Sequence, residues 1–122
     1  MKQILFTTMD WGAVQATEHP GETGIALWKT IQYNDLRIRI VEYSNNYRAE
    51  HWCKKGHIVY CIEGEMISEL SDGRMFTLSA GMTYQVSDDA SMHRSHSKDG
   101  VKLLIIDGGF LKNKIETNPW KM

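Results

Sequence analysis

The clearest alternation in the chain is Leu36-Arg-Ile-Arg-Ile-Val41: Leu36, Ile38 and Ile40 fall on one face, Arg37 and Arg39 on the other. A period of two predicts a half-buried antiparallel strand, and Asn45-Asn46 breaks it. The segment His57–Ile62 has a different pattern. Val59 and Cys61 share the side of His57, while Ile58, Tyr60 and Ile62 make the opposite side apolar as well, so both faces call for cover. Glu63-Gly64-Glu65 reads as a turn into a strand over Met66–Leu70. Asp72-Gly73 is a hairpin signal with Arg74–Leu78 returning. Ala80-Gly81 turns into Met82–Val86, and Ser87–Ser91 is a polar loop. Met92–Ser97 reads as a short strand, Asp99-Gly100 as a turn, and Val101–Ile106 as a buried strand ended by Asp107-Gly108-Gly109. Upstream, His19-Pro20-Gly21-Glu22 is a turn that exposes His19, Ala26–Tyr33 is a strand, and residues 1–12 add a candidate edge strand. Asn118-Pro119-Trp120 is read as loop, with Phe110 or Trp120 docking on the body. Short strands punctuated about every 8–12 residues predict an all-β sandwich or barrel.

At 122 residues the chain fits one domain, without internal repeat or linker. No stretch approaches the ~20 apolar residues of a membrane span. The N-terminus has one lysine and a short apolar run, too little for a signal peptide. A net charge of -1 gives no electrostatic footprint for nucleic acid or anionic lipid. Two cysteines and no export signal point to a reducing cytoplasm, where a functional or simply buried thiol is expected rather than a disulfide.

The chemistry concentrates in His51-Trp-Cys53-Lys-Lys-Gly-His57 and in His93-Arg-Ser-His96. In a strand, side chains an even number of residues apart share a face, so His51, Cys53 and His57 converge if the segment is extended. Imidazole and thiolate are ligands for borderline transition metals, and His93 would close the site from a separate segment. The candidate ligands are therefore His51, Cys53, His57 and His93, and the candidate metals Zn, Fe, Ni, Mn or Cu. Cys53 has two readings, thiolate ligand or small buried wall residue. Cys61 has the parity of the same interior and reads as a core thiol. His96, three beyond His93, points to the opposite side. Glu50 either orients a ligand imidazole or is a solvated charge beside Lys54 and Lys55. Tyr84, with Trp28, Trp52 and Tyr60, is a candidate for the pocket wall, and Arg94 has two readings, a bidentate hold on a carboxylate substrate or an outward surface arginine.

These residues also carry a resemblance. The run His51, Cys53, His57, Gly64, followed by Gly81 and His93, resembles the paired motifs of the cupin superfamily, with Cys53 at the second histidine position and His57 at the acidic one. The loop before His93 is one residue longer than that pattern and lacks its proline. More narrowly, Glu50-His-Trp-Cys53 with Gly56-His57, Trp28-Lys-Thr30, Asp72-Gly-Arg74 and His93-Arg-Ser95 resembles the little-characterised DHCW-motif cupin fold proteins, with Glu50 in place of the aspartate. The resemblance implies a double-stranded β-helix (a jelly-roll barrel), one domain over 1–122 with a barrel core near 25–108. It implies a small metal-binding protein with a small-molecule ligand and no established reaction. An enzyme on a small metabolite, a non-catalytic sensor and a metal-free structural cupin all stay open, because this fold hosts each of them. The two-faced strand 57–62 further predicts a homodimer.

Overall fold

The structure, a computed structural model, describes residues 3–112. Seven strands follow a short helical turn at Trp11–Ala13: β1 (Thr17–Pro20), β2 (Ile25–Tyr33), β3 (Leu36–Arg48), β4 (His57–Leu70), β5 (Met75–Ser79), β6 (Thr83–Val86) and β7 (His93–Asp107). They pair antiparallel in the order β1-β2-β3-β7-β4-β5, with β6 also on β4. The long strands β3, β4 and β7 run through the middle of the sheet and carry the curl of a jelly roll.

Two expected turns lie inside strands. Glu63-Gly64-Glu65 does not separate two strands; β4 runs through it, with its register against β7 shifting on either side of Gly64. Gly100 sits likewise inside β7. Gly64 has φ +83°, and a Cβ there would lie 2.5 Å from the Gly100 carbonyl oxygen. Two strands turning a barrel corner together need a bulge and a residue without a side chain at that crossing. Asn45-Asn46 does not end β3 either: Asn46 takes φ +56° and pairing with β7 resumes at Tyr47. The Asp72-Gly73 hairpin closes β4 onto β5 in the register Glu69–Met75.

The N-terminal part departs further from expectation. Residues 3–10 form no strand, whereas Thr17–Pro20 pairs with β2 although its His19-Pro20 was expected in a turn. His19 is consequently half-buried, its ring stacked on Trp28 at 3.7 Å between centroids. Phe110 is 59% exposed and does not dock. Trp120 lies outside the described residues.

The core is built from Val41, Val59, Cys61, Met66, Leu78, Val101, Leu103 and Ile105. Strand β3 presents its arginine face to this interior. Arg39 is 4% exposed and Val41 1%, while Ile38 and Ile40 lie partly covered on the outside. The alternation is real, but the sheet is folded the other way round: the guanidinium groups go inside because a carboxylate waits for them on β7.

Candidate metal centre

That carboxylate is Asp107. It faces Arg37 directly across the β3–β7 ladder, and His57 begins β4 one rung beyond the Ile58–Ile106 pair on the other side of β7. Arg37 grips it bidentately, Nε to Oδ1 and Nη2 to Oδ2, both at 3.0 Å. Arg39 Nη2 adds a third contact and His57 Nδ1 a fourth, each at 3.0 Å from Oδ2. Asp107 is 1% exposed. Burial alone would favour its neutral acid, but His57, Arg37 and Arg39 hold it well below the usual carboxylate range. An ionised carboxylate only accepts, so His57 donates from Nδ1 and turns Nε2 into the barrel.

His93, at the start of β7, is set in the same way. Its Nδ1 donates to the Ser91 carbonyl at 3.0 Å, and its Nε2 is buried without a partner. Cys53 is placed by its backbone. It exchanges both ladder hydrogen bonds with His93, Cys53 N to His93 O at 2.8 Å and His93 N to Cys53 O at 3.0 Å. Residues so paired have side chains on one face of the sheet. Gly56 completes the connection to His57, because a Cβ there would meet Asp88 N and Val86 O at 2.6 Å.

The result is a cluster of Cys53, His57 and His93 whose ligand atoms all lie within 4.8 Å of one another. Cys53 Sγ stands 3.6 Å from His57 Nε2, near the ~3.5 Å edge of a tetrahedron with bonds of about 2.0–2.3 Å. Burial raises the Cys53 thiol, but the imidazoles of His57 and His93 outweigh it and bring the group down to about 5. Burial lowers His57, and Asp107 with Cys53 more than reverses this, leaving it raised. Sγ and Nε2 thus share a proton that a metal ion would displace. Two imidazole nitrogens and a thiolate, each imidazole fixed in tautomer by its other nitrogen, suit a borderline metal and leave a coordination position open.

The structure does not bring His51 to this cluster. Its side chain is 84% exposed at the mouth of the cavity, 3.7 Å from Glu50. Even spacing places residues on one face only in a strand, and 50–56 is irregular apart from the Cys53 bridge. Glu50 is itself exposed beside His51 rather than behind a ligand. His96 faces away from the interior of β7, and Cys61 is a core residue, 0% exposed. Tyr84 does line the cavity, its ring 6.0 Å from that of His93. So does Trp28, whereas Tyr60 is exposed on the outside. Arg94 is no free surface arginine: it lies 4.5 Å from the Trp52 ring and pairs with Glu69 at 2.8 Å.

Asp107, Arg37 and Arg39 are functional candidates that the sequence reading missed. Asp107 looks like the first residue of an Asp-Gly-Gly turn. Its signal is parity, since it continues the inward series Val101, Leu103, Ile105.

No family model matches the chain, and no curated protein matches it. Solved structures do. A cupin-like protein from Thermotoga maritima superposes with a TM-score of 0.68 at 14% identity, over 81% of this chain and 82% of that one. The fold is a cupin fold. A predicted oxalate decarboxylase from the same organism gives 0.67 at 13% identity, over 84% of this chain and 99% of that one. Fe(II)-HppE, solved with an alternative substrate, gives 0.69 at 10% identity, over 84% and 60%. Identities this low establish architecture, so a reaction for this protein has to be argued from its own residues.

Proposed function

We propose that the protein binds a divalent transition metal through Cys53, His57 and His93 and presents it to a small-molecule ligand in the barrel cavity. The observation that carries this is the pair of imidazoles tied off at Nδ1, so that both Nε2 atoms meet the Cys53 sulfur in one place. A coordinating thiolate favours Zn, Cu or Fe over Mn. When bound, the metal would supply Lewis acidity or redox chemistry at its open position. The protein's own contribution is to orient the donors from behind, through Asp107 and the Ser91 carbonyl, and to wall the ligand with Trp28, Tyr43 and Tyr84. Burial raises both phenols, which therefore stay protonated as hydrogen-bond donors.

No Asp or Glu lines the cavity among the described residues. A metabolite enzyme here would therefore depend for its proton transfers on the metal or on His51, Lys55, Tyr43 or Tyr84 of the cavity wall, since His57 and Cys53 are taken up as ligands, and a non-catalytic sensor needs none. The two readings separate in turnover assays on metal-loaded protein. Both cysteines are free thiols, in keeping with work in the cytoplasm. We also take the working form to be a homodimer, because the outer face of the sheet leaves the apolar Tyr60 and Ile62 42% and 38% exposed. Among the described residues no helix is long and apolar enough to cross a membrane.

Elemental analysis of protein purified without an affinity tag is the test. Wild type and His51→Ala should carry about one metal per chain, and Cys53→Ser, His57→Ala and His93→Ala well under half of that. Equal metal in His93→Ala and wild type would sink the assignment.

A further inference from the structure

We propose that the cavity beside the metal cluster receives a small carboxylic acid, anchored by Arg39. The inference builds on the reading of this cavity as the ligand site and names the ligand's chemistry. Four cations, Arg37, Arg39, Lys55 and Arg94, contribute to the cavity wall, and among the described residues no carboxylate does. The chain as a whole carries a net charge of -1, so this is local concentration and not a general basic character. Asp107 and Glu69 pair with three of the four but lie outside the wall, and Asp107 alone serves two guanidinium groups. Four cations against two carboxylates leave an excess of two positive charges, one at the Arg37–Arg39–Asp107 group and one on Lys55. The ligand that offsets it is an anion.

Arg39 is the group that needs it most. It is 4% exposed, one Nη donates to Asp107, and its Nε finds no partner among the described residues. A buried guanidinium with unused donors is costly, and a planar carboxylate matches its fork. Its carbon lies 4.4 Å from the centre of the Trp28 ring, which fixes the plane of the guanidinium. The rest of the wall includes Met66, Leu103, Tyr43 and Tyr84, surfaces for a carbon skeleton with a hydroxyl or keto oxygen. A cavity of about 180 Å³ holds about six waters at ~30 Å³ each, which limits the acid to a few carbons.

The experiment is calorimetric titration of zinc-loaded and metal-free protein with lactate and pyruvate, with lactamide and pyruvamide as uncharged isosteres, and with inorganic phosphate. Metal content is measured on the same samples. An acid should bind at least about tenfold more tightly than its amide and weaken with added salt. Arg39→Lys, which keeps the charge but loses the fork, should weaken it about tenfold. Lys55→Gln, at an exposed position, should weaken it less and flatten the salt dependence, and it keeps the test intact if Arg39→Lys does not fold. Acid binding that is equal in wild type and both variants would report coordination to the metal alone and overturn the proposal. So would acids no tighter than amides, or phosphate bound in preference to both acids. Acid binding by a protein that takes up no zinc when loading is attempted would leave this inference standing and remove the metal reading instead.

Discussion

At the scale of single residues, the site is held by one carboxylate that does not touch the cavity. Asp107 fixes the ring of His57, and Arg37 and Arg39 fix Asp107. Asp107→Asn keeps the shape but leaves two inward guanidinium groups without an anion. Loss of one partner from such a buried network costs about 3 kcal/mol, and weakened support of a ligand imidazole costs about 10–100-fold in metal affinity. Denaturant unfolding and competitive metal titration would read the two separately. Normal affinity in a destabilised Asp107→Asn would show that Asp107 serves the fold only. Cys53 offers a pH test. A thiol whose folded pKa is depressed stabilises the fold fully above its unfolded value near 9.0; that contribution shrinks as pH falls and is gone below about 5. In metal-free protein the rate of alkylation at Cys53 should follow the same thiolate and be half-maximal near pH 5. Cys61, buried and raised, should stay unmodified until the protein unfolds. Peptide mass spectrometry would check this, and a midpoint near 9 would show that the imidazoles do not act on the sulfur. Cys53, His57 and His93 were legible in the sequence because their side chains are unusual in an apolar barrel. Their support was not, because an Asp before Gly-Gly and arginines alternating with isoleucines have ordinary readings at a turn and on a solvent face.

At the scale of elements, glycine was the ambiguous sign. The same residue that ends a strand at a hairpin, as Gly73 does, bends a strand that continues, as Gly64 and Gly100 do. Local sequence does not distinguish them, since the difference lies in which strand crosses nearby. Gly64→Ala puts a methyl group against the Gly100 carbonyl at a left-handed backbone position. Clash and backbone strain together should cost about 3 kcal/mol, against about 1 kcal/mol for Gly73→Ser, which has the strained φ of +95° but no atom within 4 Å of its Cβ. Equal melting temperatures for the two variants would mean the corner relaxes freely. Element type was otherwise readable in most of the chain. The exceptions were residues 3–10, read as part of an edge strand that does not form, Thr17–Pro20, where a proline at the end of an edge strand reads as a turn, and 50–56, where an assumed strand drew His51 inward.

At the scale of the molecule, the outside of the sheet is as telling as the inside. Two apolar rows cross it, Ile31–Ile38–Ile106–Ile58 and Ile40–Leu104–Tyr60. Tyr60 and the neighbouring Ile62 remain 42% and 38% exposed. Lys29, Glu42 and Lys102 border the rows, and Glu42 pairs with Lys102 at 3.7 Å. An apolar strip edged with both signs of charge suits a second copy of itself across a two-fold axis. Sedimentation should show a dimer at micromolar concentration and a monomer for Tyr60→Glu with Ile62→Glu, each with metal content unchanged. A monomeric wild type would remove the dimer and leave the cavity as described. This face also explains why the jelly roll was visible in the sequence while its inside and outside were exchanged in β3. Spacing between turns survives such an exchange, but hydrophobicity no longer marks the core when an apolar exterior accompanies a charged interior.

The rung that joins Cys53 to His93 by two backbone hydrogen bonds makes a pair of donors move as one body. Release of a bound ion would then require that rung to open, together with the irregular segment leading to it. The amide protons of Cys53 and His93 report that opening directly, so their exchange with deuterium should slow on metal loading in step with the ion's own off-rate.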